Sequence, residues 1–152
     1  MSDRGFYAIG IEGAKKTVNI GTLWRSANIL GASYIFTVGR RYQRQPSDTM
    51  ESWRHMPLMH FSDIPDMLVH LPHDCGLVGV EITEDASALW SYKHPTRAVY
   101  LLGAEDYGLS TEALAACHHV VVLPGERSMN VSAAGTVVMY DRLAKGRHDG
   151  ST

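Results

Sequence analysis

Val120 to Asp141 read VVVLPGERSMNVSAAGTVVMYD: an apolar run fit for a buried strand, a Pro-Gly turn, and a helix that opens among Ser128, Asn130 and Ser132. A strand that passes straight into a helix through a polar mouth is a unit of an open α/β sheet. Such sheets bind ligands at the carboxyl ends of their strands, where helix-end N–H groups are free. Two more stretches have this character, one around Asn19 and Arg25 and one around Glu105, so any function has to be read from the three together.

Outward from that stretch, hydrophobic periodicity alternates between strand and helix. It predicts a strand over Phe6 to Ile11, a helix over Asn19 to Leu30 and a strand over Tyr34 to Val38, followed by a loop to about Pro57. Next come a short apolar run from Leu58 to Phe61, a helix from about Asp63 to His70 with Ser62 as N-cap, and a strand over Gly76 to Ile82. A turn of helix at Ala88 to Ser91 precedes a strand at Ala98 to Leu102, a helix at Thr111 to Cys117 capped by Ser110, a strand at Val120 to Leu123, and a last helix from Asn130 to Lys145. The strands LVGVEI, AVYLLG and HVVVLPG are near-continuous apolar runs, as strands covered on both faces require. The reading is therefore α/β, a mostly parallel sheet with helices on both faces. Trp24 falls on the apolar stripe Ile20, Leu23, Trp24, Ala27, Leu30 and belongs to the core. The last helix is apolar nearly all round, which a subunit interface would explain.

With 152 residues at 45% hydrophobic, the chain fits one domain, taken as residues 1–147 with a tail at 148–152. No stretch approaches the roughly 18 apolar residues of a membrane span and no leader pattern opens the chain. Two cysteines in apolar surroundings, Cys75 and Cys117, favour reduced thiols and a cytoplasmic setting. Eight histidines without ligand spacing give no reason to expect a metal. The net charge of −2 hides an asymmetry, since residues 1–56 carry eight Lys/Arg against four Asp/Glu (+4) and residues 57–152 six against twelve (−6). The loop GRRYQRQPSD, with Arg40, Arg41 and Arg44, joins Arg25 as the basic face best suited to a nucleic acid, although charge alone favours a solvated loop. No GxGxxG or Walker A string is present, which argues against a dinucleotide-binding dehydrogenase or a P-loop NTPase.

As bare patterns, the three polar stretches have ordinary explanations beside the functional one. Asn19 reads as an N-cap, worth about 1 kcal/mol; Arg25 as a surface arginine; Gly103, Glu105 and Gly108 as a glycine turn; Ser128 and Asn130 as caps. Yet VNIGTLWRSA, LLGAEDYGLS and LPGERSMNVSAAG, in this order and at these separations, resemble the three signature motifs of the SpoU (TrmH-like) RNA 2'-O-ribose methyltransferases of the SPOUT superfamily. The resemblance spans residues 18 to 142. It implies a C-terminal trefoil knot, S-adenosylmethionine as cofactor, a homodimer, no metal, and an RNA ribose 2'-hydroxyl as methyl acceptor, tRNA favoured over rRNA. Carried over residue by residue, Arg25, Asn19, Glu105, Ser128 and Asn130 become the catalytic set. For the implied cofactor, the apolar strand ends and glycines at Val80, Glu81, Ile82, Leu102, Gly103, Gly108, Leu123, Pro124, Met129 and Val131 suit a flat base and close backbone contact and are the expected site. One departure is the short link, with only Gly125, Glu126 and Arg127 between Pro124 and Ser128, which implies a tighter cofactor loop. The alternatives are a catalytically silent RNA-binding module of the same fold and a small-molecule enzyme that binds an adenine nucleotide.

Overall fold

The computed structural model describes residues 5–39, 56–105 and 107–148, without the side chains of Thr17, Arg147 and His148. In chain order these form β1 (Phe6–Glu12), α1 (Thr17–Leu30), β2 (Ile35–Val38), β3 (Leu58–Phe61), α2 (Ile64–Val69), β4 (Gly76–Val80), β5 (Ser87–Ala88), a 3₁₀ turn (Leu89–Ser91), β6 (Arg97–Gly103), α3 (Thr111–Ala116), β7 (His119–Val122) and α4 (Val131–His148). The strands make one sheet in the order β3-β2-β1-β6-β4-β7-β5, and every pairing is parallel. The chain winds outward through β2 and β3, then returns to build the other half beyond β6. That places the switch in winding at the β1–β6 pair, where Glu12 lies opposite Gly103.

Alternation along each strand divides the core in two. Tyr7, Ile9 and Ile11 of β1 and Tyr100 and Leu102 of β6 pack with Ile20, Leu23 and Trp24 of α1 and Val138 and Met139 of α4. Ala8, Val99 and Leu101 turn to the opposite face, with Phe36, Ile64, Met67 and Ala113. Both faces are thus covered by helices, as the unbroken apolar runs require. The sheet packs closely at Gly10, where a Cβ would sit 2.4 Å from the Phe36 ring. Trp24 is buried, and its indole N–H donates to the Met56 carbonyl at 3.1 Å.

Several boundaries differ from the sequence expectations for identifiable reasons. Helix α1 begins at Thr17, and Lys16 at its N-cap makes no side-chain capping bond, so Asn19 lies inside the first turn and is not the cap. Helix α2 is capped by Asp63, which accepts from the Asp66 N–H at 2.8 Å, and not by Ser62. Ser62 instead donates its own backbone N–H to Asp66. Strand β4 ends at Val80: the Glu81 N–H still donates to the Val121 carbonyl at 3.0 Å, but the Ile82 N–H is taken by the Glu81 carboxylate at 2.9 Å.

At the amino ends of the strands, polar bonds fasten the far half of α4. The Arg142 guanidinium donates to the carbonyls of Pro95 at 2.6 Å and Thr96 at 2.7 Å and to the Tyr100 hydroxyl at 3.2 Å. His94 lies 2.7 Å from the Tyr100 hydroxyl through Nδ1 and 2.7 Å from the Asp141 carboxylate through Nε2, and Lys145 pairs with Asp141 at 2.8 Å. Donor counting orders these bonds. Because Arg142 donates to the Tyr100 oxygen, the phenol proton goes to Nδ1 and Nε2–H donates to Asp141. Burial holds the His94 pKa below the ordinary histidine value, even though Asp141 pulls it upward. A histidine depressed on folding binds protons more readily when unfolded, so it favours the fold above its ordinary pKa and disfavours it as pH falls. The fall in Tm between about pH 7.5 and 5.5 is therefore expected to be smaller in His94→Gln than in the wild type, measured by calorimetry across a pH series; parallel curves would dismiss this role.

Candidate functional site

The carboxyl ends of β4, β6 and β7 and the first turn of α4 enclose a cavity of about 490 Å³. Its lining includes Val80, Glu81, Ile82, Leu102, Gly103, Gly108, Leu123, Met129 and Val131, nine of the ten residues assigned to the cofactor from the sequence. The tenth, Pro124, stands exposed on the link to α4 and is not among the lining residues. Glu105 and Ser128 line the cavity as well, together with Arg127 from the short link. The inner wall is apolar, while Ile82 and Met129, more than half exposed, stand at the mouth.

The turn after β6 gives the cavity its shape. Gly103 has no room for a side chain, since a Cβ would meet the Gly108 carbonyl carbon at 2.2 Å and the Leu109 nitrogen at 2.3 Å. The turn thus folds back onto its own strand and closes with the Gly108 N–H donating to the Ala104 carbonyl at 2.9 Å. Gly108 has φ +64°, and a Cβ there would lie 2.0 Å from Glu81 Oε2. That oxygen accepts from the Leu109 N–H at 2.7 Å, while Oε1 accepts from Ile82. Glu81 therefore clamps the β6 turn to the end of β4 through its carboxylate. The sequence reading places Glu81 at the cofactor, and it does line the cavity; its clamp is an added role, made possible because Gly108, in the turn after the neighbouring strand, leaves space for its oxygens. Glu12 does similar work on the other side, accepting from the Ser110 N–H at 2.8 Å and hydroxyl at 2.7 Å where Ser110 caps α3.

Three residues from the three polar stretches meet in one hydrogen-bonded chain. Asn130 Oδ1 accepts from the Ser132 and Ala133 N–H groups at 3.0 and 3.2 Å and from the Ser132 hydroxyl at 2.6 Å, so it caps α4. Its Nδ2 must then face outward, and it donates to Asn19 Oδ1 at 3.1 Å. That in turn aims the Asn19 Nδ2 at Glu105 Oε1, to which it donates. The helix end thus fixes both amide orientations and presents a donor to the carboxylate at the cavity wall. Asn19 is only 5% exposed, so the middle of the relay is shielded from competing water.

The other assigned residues are placed differently. Arg25 is half-buried further along α1 and is not among the residues lining the cavity. Arg40, Arg41 and Arg44 lie outside the described residues. Tyr107, which lines the cavity and is 80% exposed, was not assigned from the sequence; its signal was an aromatic inside a glycine turn, where no core can take it. Among the described residues, no group of three or more His, Cys, Asp or Glu side chains is placed to hold a metal ion. Cys75 and Cys117 are free, and burial pushes the Cys117 thiol up to about 11.

A parallel sheet with helices on both faces and a glycine-shaped cavity at its strand ends defines a ligand-binding α/β domain. Residues 7–140 match the SpoU rRNA Methylase family, and the chain belongs to it. A curated relative, the tRNA (guanosine(18)-2'-O)-methyltransferase TARBP1 of Mus musculus, is 25% identical over 135 residues, covering 83% of this chain and 8% of its own length. Among solved structures, the SpoU methyltransferase AviRb of Streptomyces viridochromogenes in complex with AdoMet superposes with a TM-score of 0.86 at 21% identity, over 97% of this chain and 60% of that one. A structure described as giving insight into 2-OH methylation of C/U34 on tRNA superposes with a TM-score of 0.83 at 19% identity, over 95% of this chain and 99% of that one. The chain thus spans only a small part of the mouse protein and about three fifths of AviRb.

Asn19 both accepts and donates in the relay, so removing it leaves two partners without a bond. Asn19→Ala is expected to cost about 1–3 kcal/mol, seen as a Tm lower by several degrees. Asn19→Asp, which sets a second carboxylate against Glu105, is expected to be less stable still at neutral pH and to recover as the solution is acidified. Wild-type stability of Asn19→Asp at neutral pH would contradict the relay.

Proposed function

We propose that this chain is an S-adenosylmethionine-dependent RNA methyltransferase that acts on a ribose 2'-hydroxyl, with tRNA favoured over rRNA. The observation that carries this reading is the Glu105, Asn19, Asn130 relay, which joins one residue from each of the three family motifs and ends on a carboxylate that lines the cavity. The cavity suits the cofactor. Its volume falls within the usual range for small-molecule sites of about 300–1,000 Å³, its wall from Val80, Leu102 and Leu123 is apolar, and Gly103 and Gly108 expose backbone for close contact. The backbone of Val80 to Ile82, Leu102 to Gly108 and Leu123 to Val131 would hold it.

When bound, S-adenosylmethionine supplies an activated methyl group and its own leaving group. What remains for the protein is to position a poor nucleophile and dispose of its proton. Glu105, Ser128 and Asn130 hold the ribose by hydrogen bonds, Ser128 from the exposed link and Glu105 from the β6 turn, while buried Asn19 positions Glu105 and Asn130 through the relay. Arg25, protonated at neutral pH, orients the nucleotide and stabilises the developing alkoxide, while the RNA phosphate or a water receives the proton. Arg40, Arg41 and Arg44 extend the contact along the RNA backbone.

We further infer a homodimer and a C-terminal trefoil knot. Supporting the dimer, Val137, Tyr140 and Leu143 stand exposed on α4, opposite the stripe that packs on the sheet. In keeping with the knot, α4 leaves β7 and crosses back to pack on α1 and β6. A cytoplasmic site agrees with two free thiols, and no described helix is long and apolar enough to cross a membrane.

Calorimetry with S-adenosylhomocysteine, followed by methyl transfer to bulk tRNA and to rRNA separately, tests the reading. Binding and transfer are expected for the wild type, and Arg25→Ala is expected to keep the binding and lose transfer by a factor of about 10² or more. Absence of cofactor binding would sink the reading in favour of a silent RNA-binding module, while full turnover by folded Arg25→Ala would remove that residue from the mechanism.

A further inference from the structure

Tyr107 is the most exposed aromatic among the described residues, with 80% of its surface in solvent, and it projects from the turn that carries Glu105. It lines the cavity, two residues from the end of the relay. One face of its ring is already taken: Lys15, from the loop between β1 and α1, holds its ammonium 4.9 Å from the ring centroid. A single exposed aromatic means little by itself. An exposed aromatic ring in the lining of the cavity, with a cation held against it, combines the two elements by which proteins grip single-stranded nucleic acid: a stacking surface and a charge for the backbone.

We propose that Tyr107 and Lys15 form a nucleotide shelf, in which the free face of the tyrosine ring stacks on the base of the nucleotide entering the site and Lys15 pairs with its phosphate. The proposal rests on the reading of this site as an RNA methyltransferase and narrows its substrate. A base can lie on a protruding ring only when it is unstacked from its neighbours, so the acceptor is a nucleotide in a loop, bulge or other unpaired segment. Every base has a π-face, so the shelf selects for accessibility and leaves base identity to other contacts. The shelf stands on a turn whose position is set by Glu81 and Gly108, which gives the base a fixed platform close to Glu105.

Four proteins decide it: wild type, Tyr107→Ala, Tyr107→Phe and Lys15→Ala. Each is measured for S-adenosylhomocysteine affinity, for KM and kcat on unmodified RNA transcript, and for the salt dependence of single-stranded oligoribonucleotide binding. Tyr107→Ala is expected to raise KM for RNA roughly tenfold to a hundredfold with S-adenosylhomocysteine affinity unchanged, and Tyr107→Phe, which keeps the ring, to restore most of it. Lys15→Ala is expected to weaken RNA binding and lower the salt slope by about one. Unchanged KM in Tyr107→Ala beside an active wild type would overturn the shelf. So would a loss confined to S-adenosylhomocysteine affinity, which would assign the ring to the cofactor's base. Should the wild type transfer no methyl group, the enzymatic reading fails, and oligoribonucleotide binding by Tyr107→Ala against wild type still decides the shelf.

Discussion

The relay from Asn130 through Asn19 to Glu105 is the constraint on which the site depends. It ties residues 111 and 86 positions apart in the chain, and its direction is set by backbone chemistry. The open end of α4 needs an acceptor; Asn130 supplies it, and the donor left over passes through Asn19 to a carboxylate. A helix cap and a candidate catalytic contact are therefore the same interaction. The ordinary and functional explanations of Asn130 do not compete, because the cap is what points the amide.

Since α4 forms one wall of the cavity through Val131 and Ala134, its placement matters at both ends. Asn130 fixes the near end. Arg142 and the His94, Asp141, Lys145 cluster fix the far end to the amino ends of the strands. Between them the helix lies close against the core, with a Cβ at Gly135 standing 2.5 Å from a Leu23 methyl and 2.9 Å from a Leu102 methyl. Leu102 is also a cavity wall. Displacement of α4 would therefore be felt at the cavity through packing as well as through the cap, because tightly packed interiors transmit strain.

The sheet, its parallel pairing and its two helical layers were legible because unbroken apolar strands and 3.6-residue helical stripes are local patterns. Nine of the ten residues expected around the cofactor line one cavity, while Pro124 stands apart. What local patterns could not show was pairing at a distance. Asn19 read as a cap because polar residues before apolar stripes usually are; its true partners lie in other motifs. Ser62 and Asp63 are adjacent and equally suited to capping, and only the reach of the Asp63 carboxylate to the Asp66 N–H separates them. Glu81 gave no sign of its clamp, since the space for its carboxylate is an absent side chain at Gly108. The two-residue β5 has no periodicity to read and exists through its pairing with β7.

The charge balance also changes meaning once the acidic residues are placed. The sum of −6 over residues 57–152 suggests a half that repels RNA, yet several of these carboxylates are committed within the fold. Asp63 and Asp66 accept from backbone N–H groups around the start of α2, Glu81 accepts from two more, and Asp141 lies between His94 and Lys145. Their charge remains, but it is set against peptide dipoles and a lysine at short range, so the field a phosphate meets is weaker than the count implies. Screening limits it further, because exposed charges more than about 8–10 Å apart scarcely act on one another at physiological salt. An anion approaching the cavity therefore responds chiefly to the charges nearest it, Arg127 and Glu105 in the lining and Lys15 against the Tyr107 ring, and not to the balance of the half-chain.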